Sequence, residues 1–268
     1  MISLLKINKW AGFALAVIGF SAQAAQAPPP RIDVKNLKLS TTVEDVVVPL
    51  PGEVFTALNK LGSVNWKEYV RTEKSANFSE RPRTALLLGN VIADGFIAVQ
   101  AQDAPAVKDI GQRVLSLAKG IGVGASITPH AKAITEAADK RKWESVRQEL
   151  DRTQSSVQGA MNELQDQKLS QLVSLGGWLR GTQILTAVVN KHFTQEGAEL
   201  LHQPDLLRYF GDRLTAMPEY SVPVVESIKR ALVEVRPLMD PGSRSISPEA
   251  VRKINEITTR LDGEIVTR

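Results

Sequence analysis

Residues 84–102 read TALLLGNVIADGFIAVQAQ, and residues 169–190 read LSQLVSLGGWLRGTQILTAVVN. Each stretch holds a single charge, Asp94 in the first and Arg180 in the second. A helix that is apolar on all sides is a buried helix. Segments such as 143–165 carry a charge at every second or third position, so they belong on the outside. The pattern predicts an all-α fold: a single multi-helix, bundle-like domain of about ten helices around two buried central ones. Glycines at 89, 95, 176, 177 and 181 fall inside the apolar stretches. Each costs about 1 kcal/mol of helix propensity against alanine, and close approach of two backbones is the expected offset.

Outward from that pair, Pro and Gly fall between periodic segments. Helices are predicted at 52–61, 64–71, 80–102, 105–119, 129–140, 143–165, 168–191, 195–202, 205–217, 223–238 and 248–266. Ser79, Asp103, Thr128 and Ser247 each precede a proline in a first turn, which marks four helix starts. The loop at 240–247 is expected to set the last helix apart from the body. Leu88-Gly89 and Leu175-Gly176, each followed by x-apolar-apolar, suggest the trace of a duplicated helical hairpin.

The amino terminus is different. Lys6 and Lys9 precede an apolar run from Trp10 to Phe20, and Ser21-Ala22-Gln23-Ala24 supplies small residues before a cut. This is the layout of a secretory signal peptide over residues 1–24. The run is too short to span a bilayer, which takes about 20 residues. Cleavage after Ala24 is preferred, because a cut after Ala27 would put Pro28 behind the scissile bond. No transmembrane helix is expected after cleavage, so the mature chain is predicted to be soluble and periplasmic or secreted. Residues 25–50 read as an extended, Pro-containing arm or linker before the helical domain at 51–268. Within the arm, 43–51 is β-branched and bounded by proline, with no obvious partner strand.

Composition excludes several chemistries. The chain has no Cys, which rules out disulfides, Cys-ligated zinc, Fe–S clusters and thioether-linked haem. Without Lys6 and Lys9 the basic residues number 31 against 29 acidic ones, interspersed along the chain. Nothing resembles the basic stripe of a nucleic-acid binder. Three His and no Gly-x-Ser-x-Gly elbow leave no catalytic constellation in view. Met161, Met217 and Met239 read as core fillers rather than haem ligands.

Asp94 and Arg180 are expected to pair across the two central helices, with Asn90 and Gln183 completing the hydrogen bonds. One reading is a buried pair that sets helix register. The other is a polar pocket for a small ligand, with Trp178 as its apolar wall. Glu199-Leu-Leu-His202 is one Glu-x-x-His step, where a di-iron bundle uses two. No metal is therefore assigned; Glu199 and His202 are weak candidates beside the plainer reading of a solvated helix face. The run Gly120-Ile-Gly122-Val-Gly124 reads as a helix C-cap and turn rather than a phosphate loop. His130 reads as a surface residue.

The functional expectation is a non-enzymatic binding or interaction module of the cell envelope. Its partner would be an unknown protein or small ligand, with no cofactor. The alternative is a metal- or ligand-dependent enzyme with a site in the helical core.

Overall fold

The computed structural model describes residues 41–43, 46–48, 51–71 and 78–267. The signal-peptide reading and most of the arm fall outside these residues. Two short strands, β1 (Thr41–Val43) and β2 (Val46–Val48), precede the helices. The helices are α1 (Pro51–Leu61), α2 (Arg81–Gln100), α3 (Ala104–Gly120), α4 (Gly124–Asp139) and α5 (Trp143–Glu163), then α6 (Gln167–Lys191), α7 (Gln195–Glu199), α8 (Pro204–Thr215), α9 (Pro223–Met239) and α10 (Pro248–Val266). The fold is all-α.

α2 and α6 form the central pair. Nearly every residue of α2 from Pro82 to Val99 is buried. By length and composition both helices could cross a membrane, but 94% and 78% of their apolar windows are buried within the protein. On one side α3, α4 and α5 follow α2 in sequence, each packed on the one before, and α5 closes back onto α2. On the other side α6 packs against α8 and α10, and α9 joins α8 to α10.

The seam depends on glycine. A Cβ on Gly89 would stand 1.8 Å from the Val173 carbonyl oxygen, and one on Gly176 would stand 2.0 Å from that of Leu86. The two Leu-Gly steps therefore meet each other at one helix crossing, where both need the same small residue.

Four consecutive reversals, α2–α3 through α5–α6, are closed by the same Schellman turn. At the first, the Gln102 N–H donates to Val99 O and the Asp103 N–H to Ala98 O. The same pair of bonds recurs at Gly122/Val123, Arg141/Lys142 and Gln165/Asp166. Only one of the four left-handed positions is glycine; Gln102, Arg141 and Gln165 hold φ of 53° to 55°. Asp103 and Ser247 cap α3 and α10 as expected, accepting from Ala106 N at 3.0 Å and Ala250 N at 3.1 Å.

Other expectations are corrected. Ser79 does not cap α2, whose first residue follows Glu80 with no side-chain cap. Thr128 is not a cap either: α4 begins five residues before Pro129, and the Thr128 hydroxyl donates to Gly124 O at 2.8 Å. Pro129 removes the donor for the carbonyl of Ala125, which is exposed, so water can take its place. The stretch 64–71 forms only a 3₁₀ turn, Trp66–Tyr69, held where the Trp66 ring packs 5.0 Å from Phe55. The extended segment near 46 does have a partner, since Thr41 pairs antiparallel with Val48 and Val43 with Val46. The loop at 240–247 does not detach the last helix. α10 packs on α6, α9 and α2 and buries Val251, Ile254, Ile257, Thr258, Leu261 and Ile265.

Candidate functional site

Arg180 on α6 donates through Nε to Asp94 Oδ1 on α2 at 2.8 Å, and both side chains are almost fully buried. Its Nη1 donates to Gln183, and its Nη2 donates to the Tyr69 carbonyl at 3.3 Å. Two further residues complete the cluster. Arg71, just after the 3₁₀ turn, forks onto both oxygens of Asp262 on α10 at 2.9 Å and stands 3.5 Å from Asp94 Oδ2. Its Nη1 donates to Asn90 Oδ1 at 3.0 Å, and Asn90 Nδ2 donates to Asp262 Oδ1 at 2.7 Å. Asn90 thus serves Arg71 and Asp262 rather than Arg180.

The result is a neutral set of two guanidiniums and two carboxylates that ties α2, α6, α10 and the α1–α2 connection. Every guanidinium nitrogen except Arg71 Nε donates a hydrogen bond, and Asp94 Oδ2, buried without a hydrogen-bond partner, faces Arg71 Nε at 3.5 Å. Opposite charges linked this closely fit a buried register tie. Trp178 is not a wall of this cluster. Its Nε1 donates to Gln203 Oε1 at 2.8 Å, and its ring packs 5.4 Å from Phe210.

Glu199 and His202 do not lie on a solvated face. Glu199 is buried, accepts from Gln195 Nε2 at 2.9 Å and from the Ile246 N–H at 3.4 Å, and so holds the loop before α10. His202 Nε2 stands 3.4 Å from Asp240 Oδ1. Among the described residues no group of three His, Asp or Glu side chains is placed to hold a metal. Met161, Met217 and Met239 are buried in the core.

A groove of about 930 Å³ opens between α1 and α5, with the end of α2 beneath it. Gly52, Glu53, Thr56, Asn59 and Lys60 come from α1; Phe96 and Gln100 from α2; Glu144, Arg147, Gln148, Asp151 and Arg152 from α5. Glu144 pairs with Arg147 at 3.1 Å, and Arg152 pairs with Glu149 outside the groove. Asp151 is partly buried in the groove wall. Loss of solvent, with Glu53 and Glu144 nearby, pushes its carboxyl up to about 6. A perturbed carboxyl in a large cleft is a recognised mark of a binding site.

His130 is not a free surface residue. From α4 its imidazole spans two side chains of α5. Nδ1 lies 3.0 Å from Glu149 Oε2, and Nε2 lies 2.7 Å from Ser156 Oγ. Glu149 and Ser156 are seven residues apart, two turns along one face, about 10 Å. The sequence offered no pattern for this set, because the histidine and its two partners come from different helices.

No family model, curated protein or solved structure matches the chain.

Proposed function

We propose that the protein is an exported binding module of the cell envelope and that its ligand occupies the groove between α1 and α5. The observation that carries this reading is the groove itself: about 930 Å³, with Asp151 in its wall. That volume lies in the range of small-molecule sites, roughly 300–1,000 Å³. The lining mixes the Phe96 ring with amides, carboxylates and cations, so it suits a polar ligand with both apolar and charged parts. Export is supported by the basic, apolar and small-residue succession of residues 1–24. The polar cluster around Asp94 and Arg180 supports a structural role better, since both of its guanidiniums are already paired with its own carboxylates.

The test is native mass spectrometry of protein purified from its own envelope, beside the variant Thr56→Trp. Thr56 is an exposed residue of the groove lining, so the indole fills the cleft without entering the core. A mass above that of the bare chain, lost in Thr56→Trp, is the expected result. A bare mass for the native protein, or a surplus that the variant keeps, overturns the groove as the site. The denatured mass tests cleavage after Ala24 in the same experiment.

A further inference from the structure

We infer that Ser156 is an activated nucleophile, with His130 as its general base and Glu149 as the group that orients the imidazole. The geometry follows the order of a nucleophile–base–carboxylate triad, which is recognised by distances and roles rather than by sequence position. Ser156 Oγ lies 2.7 Å from His130 Nε2, and His130 Nδ1 lies 3.0 Å from Glu149 Oε2.

The proton positions follow from the carboxylate. The His130 contact, with Arg152 on its other oxygen, holds the Glu149 carboxyl below its ordinary range. Glu149 is then an acceptor only. In the neutral imidazole the proton must sit on Nδ1, which donates to Glu149. Nε2 is left as an acceptor, and the Ser156 hydroxyl must donate to it. That is the ground state a serine needs to lose its proton as it attacks. The His130 and Glu149 side chains keep 20% and 15% of their exposure, and Ser156 is likewise of intermediate exposure.

The same structure limits the chemistry. Ser156 sits inside the continuous helix α5, where backbone N–H groups are tied up in i→i−4 bonds. No backbone oxyanion hole is built beside it. Activation therefore rests on the base, worth about 10²–10⁴-fold. The substrates that suit such a site are activated acyl esters, whose leaving groups depart without help. With p-nitrophenyl acetate, Ser156 Oγ bonds to the carbonyl carbon while its proton passes to His130 Nε2. The ester C–O bond then breaks and p-nitrophenolate leaves. Imidazolium returns the proton to solvent, and water hydrolyses the acetyl-serine with His130 as base. With a fluorophosphonate probe the O–P bond forms as the Ser156 proton passes to His130 Nε2, the P–F bond breaks, and fluoride leaves.

Ser155 is an internal reference. It is exposed, one residue away, and its hydroxyl donates only to the Asp151 carbonyl at 3.2 Å. The test is fluorophosphonate labelling of the full protein, read by intact mass and by peptide mapping, with p-nitrophenyl acetate turnover beside it. One label on Ser156 and none on Ser155 is expected. Ser156→Ala should abolish labelling and turnover. His130→Gln should slow both by about 10²-fold or more, and Glu149→Gln should slow them less. Thermal melts confirm that each variant is folded. Labelling of Ser155 at the same rate, or labelling of Ser156 that survives in folded His130→Gln, overturns the inference. Absence of any label on the wild-type protein overturns it as well.

Discussion

Gly89→Ala tests the central seam directly. In an isolated helix the added methyl would be favourable by about 1 kcal/mol. In this protein it would stand 1.8 Å from the Val173 carbonyl oxygen and 2.8 Å from the Gly177 amide nitrogen. Both are backbone atoms in the middle of α6, so neither can swing aside. α2 and α6 must separate by at least about 1.2 Å to restore a tolerable contact. A gap of about 0.5–1 Å already forfeits a quarter to a half of each dispersion contact it opens. Overpacking of a core typically costs about 1–3 kcal/mol. With backbone on both sides, the cost falls at the top of that range. After the propensity gain, a net loss of about 2 kcal/mol remains. Gly95→Ala, six residues along the same helix, should go the other way. Its methyl would meet Leu150 Cδ2 at 3.4 Å and Ile110 Cγ2 at 3.5 Å, ordinary contacts with side chains. A gain of about 0.5–1 kcal/mol is expected from helix propensity. Thermal unfolding followed by far-UV circular dichroism should separate the two variants by about 6–12 °C. A Gly89→Ala protein as stable as wild type, or a common direction for both variants, would refute the close-packed seam.

Three other outcomes follow from the same structure. Asp94→Asn leaves two buried guanidiniums facing one remaining carboxylate and should cost about 3–5 kcal/mol in urea unfolding. Replacing Asp94 and Arg180 together by Leu and Met should recover most of that loss; a double variant no better than the single one would count against the register tie. At the Schellman turns, Gln102→Gly, Arg141→Gly and Gln165→Gly should each stabilise by about 0.5 kcal/mol, because glycine removes the left-handed strain while adding some chain entropy. Gly122→Ala, at φ +93°, should destabilise instead. Asp151 binds its proton more tightly in the folded state than in the unfolded chain, so its ionisation opposes folding as pH rises from about 4 to about 6. Asp151→Asn should therefore stabilise the protein at pH 7, by about 1 kcal/mol after solvent screening is allowed for, and the gain should vanish near pH 4. An equal gain at both pH values would show that the carboxyl is not destabilised by its place in the groove.

Much of the fold was legible because burial leaves a periodic trace. The single charges at 94 and 180, set in apolar surroundings, identified the core pair and predicted that the two would meet. Asp103 and Ser247 marked helix starts because a cap acts within four residues. Thr128-Pro129 misled for the same local reason: a proline in the second turn looks like one in the first when the residue it would have bonded, Ala125, is free to face water.

Apart from 64–71, the sequence by itself determined which segments are helical, which two are buried, and that Asp94 must have an opposite charge beside it. Only the tertiary structure decided that Arg71 and Asp262 share that cluster, and that His130 reaches Glu149 and Ser156. It also decided that Glu199 turns inward to hold the loop before α10, and that a groove lies between α1 and α5. Helix periodicity fixes which face of a segment is covered, because side chains three and four residues apart share a face. It carries no information about which other segment does the covering. Arg71 and Asp262 are 191 positions apart, and only the packing of α10 across α2 and α6 brings them to 2.9 Å.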